Sequence, residues 1–108
     1  MPEHVVIGDR RIGAGESCLI VAEIAANHNG DVNLATDLAH KAYAAGADFV
    51  KFQFRTPSLC IPEDQKSQIK ETPWGTMNYL QYRERLEFDD WQWDDLASDH
   101  RQAGNSWF

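Results

Sequence analysis

The sequence is short of cysteine, of positive charge and of long apolar runs, and each shortage removes a class of protein. Its two cysteines, Cys18 and Cys60, form no C-x-x-C pair. That excludes a closely spaced metal knuckle or redox dithiol, and thiols so far apart read as separate buried apolar residues rather than a disulfide. Lys and Arg number 10 against 17 Asp and Glu, for a net charge of −7. No basic stripe is left to release counterions from nucleic acid or to hold an anionic membrane, so neither is expected as a partner. No apolar run approaches the roughly 18 residues of a membrane span. The opening Met1-Pro2-Glu3-His4 lacks the basic flank and apolar stretch of a secretory signal, and the expected location is the cytoplasm. Also missing is a G-x-G-x-x-G turn after the first apolar run, which argues against a dinucleotide fold.

What remains, 43% hydrophobic and 25% charged, is the composition of a soluble globular chain. Residues 4–13 alternate weakly around Gly8-Asp9 and predict a hairpin, a lid or plug ahead of the main fold. Residues 18–25 are nearly continuous in apolar side chains, as in a parallel strand covered on both faces. Asn27-His28-Asn29-Gly30 forms a turn cluster, and Asp31 is placed to cap a helix over 31–45 whose apolar residues, from Val32 to Tyr43, recur at helical spacing. Gly46 is its left-handed stop. A second strand over 47–54 completes a β-α-β unit.

Residues 55–75 then read as a polar, irregular loop on the substrate side. A short helix is expected over 76–86, and Asp89 with Gln92 resembles a capping box for a main helix over 89–103. Residues 105–108 look like the start of a third strand. The fold class is α/β, and the repeats fit the N-terminal portion of a TIM (β/α)₈ barrel. Such a barrel needs roughly 250 residues, so the chain is expected to be a fragment, excised or truncated, of a longer protein.

Two residues interrupt the apolar runs: Glu23 in Leu19-Ile20-Val21-Ala22-Glu23-Ile24, and Lys51 in Phe49-Val50-Lys51-Phe52-Gln53-Phe54. A charge entering a low-dielectric interior costs several kcal/mol unless paired or facing a polar cavity, so opposite charges at equivalent places suggest one shared site. Ligands of parallel α/β sheets sit beyond the carboxyl ends of the strands, toward which both residues lie. Lys51 and Gln53, two apart, share a strand face, with Phe52 and Phe54 turned to the helices. The plainer alternative is a buried ion pair that fixes strand register. Asn27 and His28 are equally readable as turn formers, and His28 as a general base or metal ligand. No second histidine stands at ligand spacing, since His4 falls in the hairpin and His40 and His100 on helices as solvated positions. The tryptophans read as packing residues, except that Trp74, beside Gly75 in the long loop, is also a candidate for ligand contact.

Val21-Ala22-Glu23-Ile24-Ala25-Ala26-Asn27-His28-Asn29-Gly30-Asp31 and Ala44-Ala45-Gly46-Ala47-Asp48-Phe49-Val50-Lys51-Phe52-Gln53 closely resemble the opening of the sialic acid synthase family, which includes legionaminate and pseudaminate synthases. Thr72-Pro73-Trp74-Gly75-Thr76-Met77 and Tyr79-Leu80-Gln81-Tyr82-Arg83 extend the likeness over nearly the whole chain. The resemblance implies a barrel that condenses phosphoenolpyruvate with an N-acyl hexosamine, such as N-acetylmannosamine, to a nine-carbon 2-keto sugar acid and phosphate. It implies Glu23 at the sugar and metal side, Lys51 on phosphoenolpyruvate, and Gln53 toward the acceptor. Glu23 and Lys51 become the catalytic candidates, with Lys51, Gln53, Asn27 and His28 binding substrate.

The same resemblance implies a divalent metal, manganese or magnesium, whose ligands come from later strands and not from this chain. It also implies a homodimer in which an antifreeze-like domain, absent here, completes the partner's site. Ala25 departs from the pattern by standing where the family usually has Gly, and no asparagine near Trp74 matches the one some members carry. The chain alone is expected to be inactive. Two other readings compete: an aldolase on the same barrel using Lys51 as a Schiff-base nucleophile, and a non-catalytic remnant that associates through open sheet edges.

Overall fold

A computed structural model describes residues 3–108. Strands β1 (His4–Ile7) and β2 (Arg10–Gly13) form an antiparallel hairpin, with Ile7 opposite Arg10 across a Gly8-Asp9 turn. The turn needs a left-handed residue, and Gly8 supplies it at φ 61. The hairpin is tied to the body where the Arg10 guanidinium meets Asp48 at 2.5 Å and Asp48 accepts from the Ile20 N–H at 2.8 Å. Those contacts put it at the amino ends of the next two strands, the plug position rather than a lid over the opposite end.

Strands β3 (Val21–Ala25) and β4 (Phe49–Phe52) pair in parallel, with Val21 opposite Phe49 and Glu23 opposite Lys51. Both are shorter than the apolar runs 18–25 and 47–54 suggest. A bulge shifts the register between Glu23 and Ala25, where Ala25 takes φ 53. An L-residue there costs roughly 1–2 kcal/mol relative to a right-handed backbone. Helix α1 (Val32–Ala44) crosses between the strands. Asp31 caps it through Oδ1, which accepts from the Asn33 and Leu34 N–H groups at 2.9 and 3.3 Å. Ala35 and Ala39, both 0% exposed, are small enough to let the helix lie close to the sheet.

Residues 106–108 lie along the outer edge of β4. The Val50 N–H donates to Ser106 O at 3.3 Å, the Phe108 N–H to Val50 O at 3.0 Å, and the Phe52 N–H to Phe108 O at 2.7 Å. Helix α5 (Asp90–Ala103) precedes them and packs against α1. The Asp89 N–H donates to Gln92 Oε1 at 2.9 Å at its start, and Gly104 ends it at φ 69. Ile24, Val32, Ala35, Ala39, Val50, Phe52, Phe88 and Leu96 make one core between sheet and helices. Phe52 faces that core, whereas Phe54 is 71% exposed and lies beside Trp93, with ring centroids 6.0 Å apart.

Four expectations are corrected. The stretch 55–75 is not an irregular loop: it holds the short helices α2 (Pro57–Cys60) and α3 (Glu63–Lys66), then the antiparallel strands β5 (Ile69–Thr72) and β6 (Gly75–Asn78). A small ribbon with its faces toward water carries no apolar alternation to announce it. Helix α4 (Tyr79–Leu86) therefore starts at Tyr79 rather than 76, because Asn78 caps it by accepting from the Gln81 N–H at 2.8 Å. Cys18 and Cys60 are exposed free thiols, not buried residues, since Cys18 precedes the start of β3 and Cys60 ends α2, in which only Pro57 is buried. His100 is 1% exposed rather than solvated, because it falls on the face of α5 that meets Tyr43, Phe52 and Trp107.

Candidate functional site

The site begins with strand register. Parallel pairing sets Glu23 beside Lys51, and Lys51 Nζ lies 3.2 Å from Glu23 Oε1. Within these 108 residues the Glu23 and Lys51 side chains are 67% and 38% exposed. An ion pair open to water contributes only about 0–1 kcal/mol to stability. Gln53 follows Lys51 just past the end of β4, half-buried.

The turn after β3 does not join them as a polar cluster. Asn27 is engaged locally, donating from Nδ2 to Ile24 O at 2.8 Å. His28 is 2% exposed and stacks on Phe88 with ring centroids 4.1 Å apart. Its Nδ1 accepts from the Gly30 N–H at 3.0 Å, and burial pushes its pKa below the usual 6.5. The imidazole thus packs into the core on Phe88, away from the Glu23–Lys51 pair in its hydrogen bonding. Gly30 is required beside it: its φ is 76, and a Cβ there would lie 2.4 Å from Arg85 O. Gln92 Nε2 donates to Gly30 O at 3.1 Å, so the turn is pinned to α4 and α5 together.

Trp74 is likewise occupied, between Tyr82 at 6.4 Å and the Arg85 guanidinium at 4.7 Å. Among the described residues no group of three or more His, Cys, Asp and Glu side chains is arranged to hold a metal ion. The donors on these strands do not by themselves fit one. Arg55, two residues beyond Gln53, was not singled out in the sequence. Its signal was position, as a further cation past the carboxyl end of a strand that already carries Lys51.

A parallel β-α-β unit with an ion pair in the carboxyl halves of its strands defines an α/β protein of the kind that binds ligands at strand ends. The sequence model of the NeuB family matches residues 38–108, and the chain belongs to that family. It is 45% identical over 74 residues to N,N'-diacetyllegionaminic acid synthase of Campylobacter jejuni, covering 66% of this chain and 22% of that protein. It is 32% identical over 102 residues to N-acetylneuraminate-9-phosphate synthase of Mus musculus, covering 88% of this chain and 27% of that one. The chain thus spans about a quarter of the length of such relatives. The crystal structure of N-acetylneuraminic acid synthetase from Leptospira borgpetersenii, in complex with citrate, superposes with a TM-score of 0.76 at 23% identity, covering 97% of this chain and 33% of that one. At that identity the likeness speaks for the fold.

Proposed function

We propose that the chain supplies the first strands of a TIM-barrel nonulosonate synthase, an enzyme that joins phosphoenolpyruvate to an N-acyl hexosamine and releases phosphate. The observation that carries this reading is the exposed Glu23–Lys51 pair at matched register on the open side of the sheet. The Lys51 ammonium is placed to meet the phosphate or carboxylate of phosphoenolpyruvate, a compact point charge suited to an anion entering from solvent. Glu23 holds Lys51 until the anion takes over, and its freed carboxylate then orients a hydroxyl or water near the reacting carbons, or moves a proton. Gln53, further along the strand, contacts the acceptor. A divalent metal, when bound through residues outside this chain, would polarise the acceptor aldehyde. The remaining barrel strands, a homodimeric partner and a cytoplasmic setting complete the reading.

The assay is phosphate release from phosphoenolpyruvate in the presence of manganese and a panel of N-acyl hexosamines. The 108-residue chain by itself is expected to be inactive, and the chain joined to the remaining strands of a relative's barrel active. Lys51→Ala in the joined protein should lose on the order of 3 kcal/mol of transition-state stabilisation, more than a hundredfold in rate. Release that survives this change would remove Lys51 from the chemistry. The aldolase alternative is disfavoured by the ion pair itself, because an ammonium held 3.2 Å from a carboxylate must give up that contact before it can attack a carbonyl as an amine. Borohydride trapping with a keto acid should leave Lys51 unmodified.

A further inference from the structure

Strands β3 and β4 keep regular pairing only as far as Glu23 opposite Lys51. The next paired residues are Ala25 and Phe52, so two steps along β3 match one along β4. An unbroken register would have set Ile24 opposite Phe52 and Ala25 opposite Gln53. The bulge removes that further rung, and Gln53 is left with no partner on β3. The irregularity therefore falls directly after Glu23 and directly across from the step between Lys51 and Gln53, the three polar residues of the candidate site.

Ala25 makes the bulge at φ 53, a left-handed backbone that an L-residue keeps only where its surroundings over-determine it. They do so on both sides. Before it, Ile24 is fixed in the core at 7% exposure, and its carbonyl accepts from the Asn27 N–H at 3.1 Å and from Asn27 Nδ2 at 2.8 Å, closing a tight turn around Ala25 and Ala26. After it, the buried His28 ring is held on Phe88 and by the Gly30 N–H, and Gln92 Nε2 holds the Gly30 carbonyl in turn. Asn27 and His28 thus bear on Glu23 through the backbone. Bulges beside sites re-aim a side chain or end a pairing, and strain clamped in place by its neighbours marks a built feature. We propose that Ala25 is a positioning residue: its bulge ends the β3–β4 pairing at the Glu23–Lys51 rung, fixes the direction of the Glu23 carboxylate and keeps the next rung clear for the acceptor beside Gln53. This rests on the synthase reading above and deepens it, because it assigns the aim of Glu23 to one backbone conformation.

The test sorts substitutions by the backbone they allow. Gly and Asn enter the left-handed region readily and the β-branched Val does not. In the 108-residue chain, isotope-labelled at Lys, the magnetic resonance signal of the Lys51 ammonium reports its contact with Glu23, and Glu23→Gln marks the loss of that contact. Ala25→Gly and Ala25→Asn should leave the signal where the parent has it, and Ala25→Val should move it to the Glu23→Gln position. In the chain joined to the remaining strands of a relative's barrel, Ala25→Val should lower kcat for phosphate release tenfold or more and raise the KM for N-acetylmannosamine at least threefold. The KM for phosphoenolpyruvate should stay within twofold, because Lys51 stands on β4; a merely structural role would reduce the amount of active protein and leave both KM values in place. A Val variant with the parent's signal and kcat, or an Asn variant as impaired as the Val one, overturns the proposal. Should Ala25→Val fail to fold, Ala25→Asn decides: parent-like signal and rate support a backbone role, and a displaced signal overturns it. A joined parent protein that releases no phosphate sinks the synthase reading, whereas the Lys51 signal, which needs no turnover, still shows whether the bulge aims Glu23.

Discussion

The two ends of the β3–β4 pair differ more than their shared strands suggest. Toward the carboxyl end stand Glu23, exposed, and Lys51 and Gln53, half-buried, all three polar. At the amino end the same strands and the hairpin enclose a largely apolar cleft of about 500 Å³ lined by Ile7, Ile12, Leu19, Val21, Phe49 and Phe108. One end is built to exchange partners and the other to be filled. The division has a physical reading: a water-exposed ion pair is cheap to undo, whereas apolar side chains gain by being withdrawn from water.

Substitutions at each end should therefore separate stability from chemistry. The largest effect on folding is expected at the amino end, where Phe49 is 7% exposed. Phe49→Ala should cost about 3–5 kcal/mol in urea unfolding while leaving the response of Lys51 to phosphoenolpyruvate intact in the folded protein. A loss below about 1 kcal/mol would mean that the amino end is not packed through this ring. Lys51→Ala should do the reverse, with its deficit in phosphate release accompanied by a stability change within about 0.5 kcal/mol, as for an exposed residue.

Acid should distinguish the ends at two different pH values. Burial holds the His28 pKa below 6.5, so the unfolded chain takes up a proton first and stability should fall as pH drops through 6.5. The Ile20 N–H, followed by the Arg10 guanidinium, holds the Asp48 carboxyl below its usual 3.8. Its contribution is present above that value and lost as pH falls through the lower folded value. Unfolding measured against pH should show both limbs, with His28→Gln flattening the first and Asp48→Asn the second. The smallest effect concerns Ala25, whose φ of 53 is relieved by glycine at the entropic cost glycine brings. Ala25→Gly should add about 0.5 kcal/mol of stability, and a loss would show that the bulge is held in place by the methyl group.

The β-α-β unit was legible because its signals are local and redundant: apolar runs over 18–25 and 47–54, alanines at helical spacing, Asp31 to start α1 and Gly46 to end it. Glu23 and Lys51 could be joined because parallel strands of similar pattern leave few registers to choose from. The ribbon at Ile69–Asn78 escaped notice because a two-stranded element bathed in water has no apolar face to alternate. The burial of His28 and His100 was not legible because a histidine is polar in sequence but stacks like an aromatic once Phe88 or Phe52 is brought against it, and those partners lie far along the chain.

By itself the sequence determined the β3-α1-β4 unit and helix α5, the residues that start and stop those two helices, and that one acid and one amine interrupt the apolar strands, since these follow from side-chain periodicity and capping within a few residues. Only the tertiary structure decided that the acid and amine come within contact distance, that the stretch after β4 folds into short helices and a ribbon, and that His28 turns into the core. Exposure and convergence depend on which distant residues cover a group, and spacing along the chain carries no record of that.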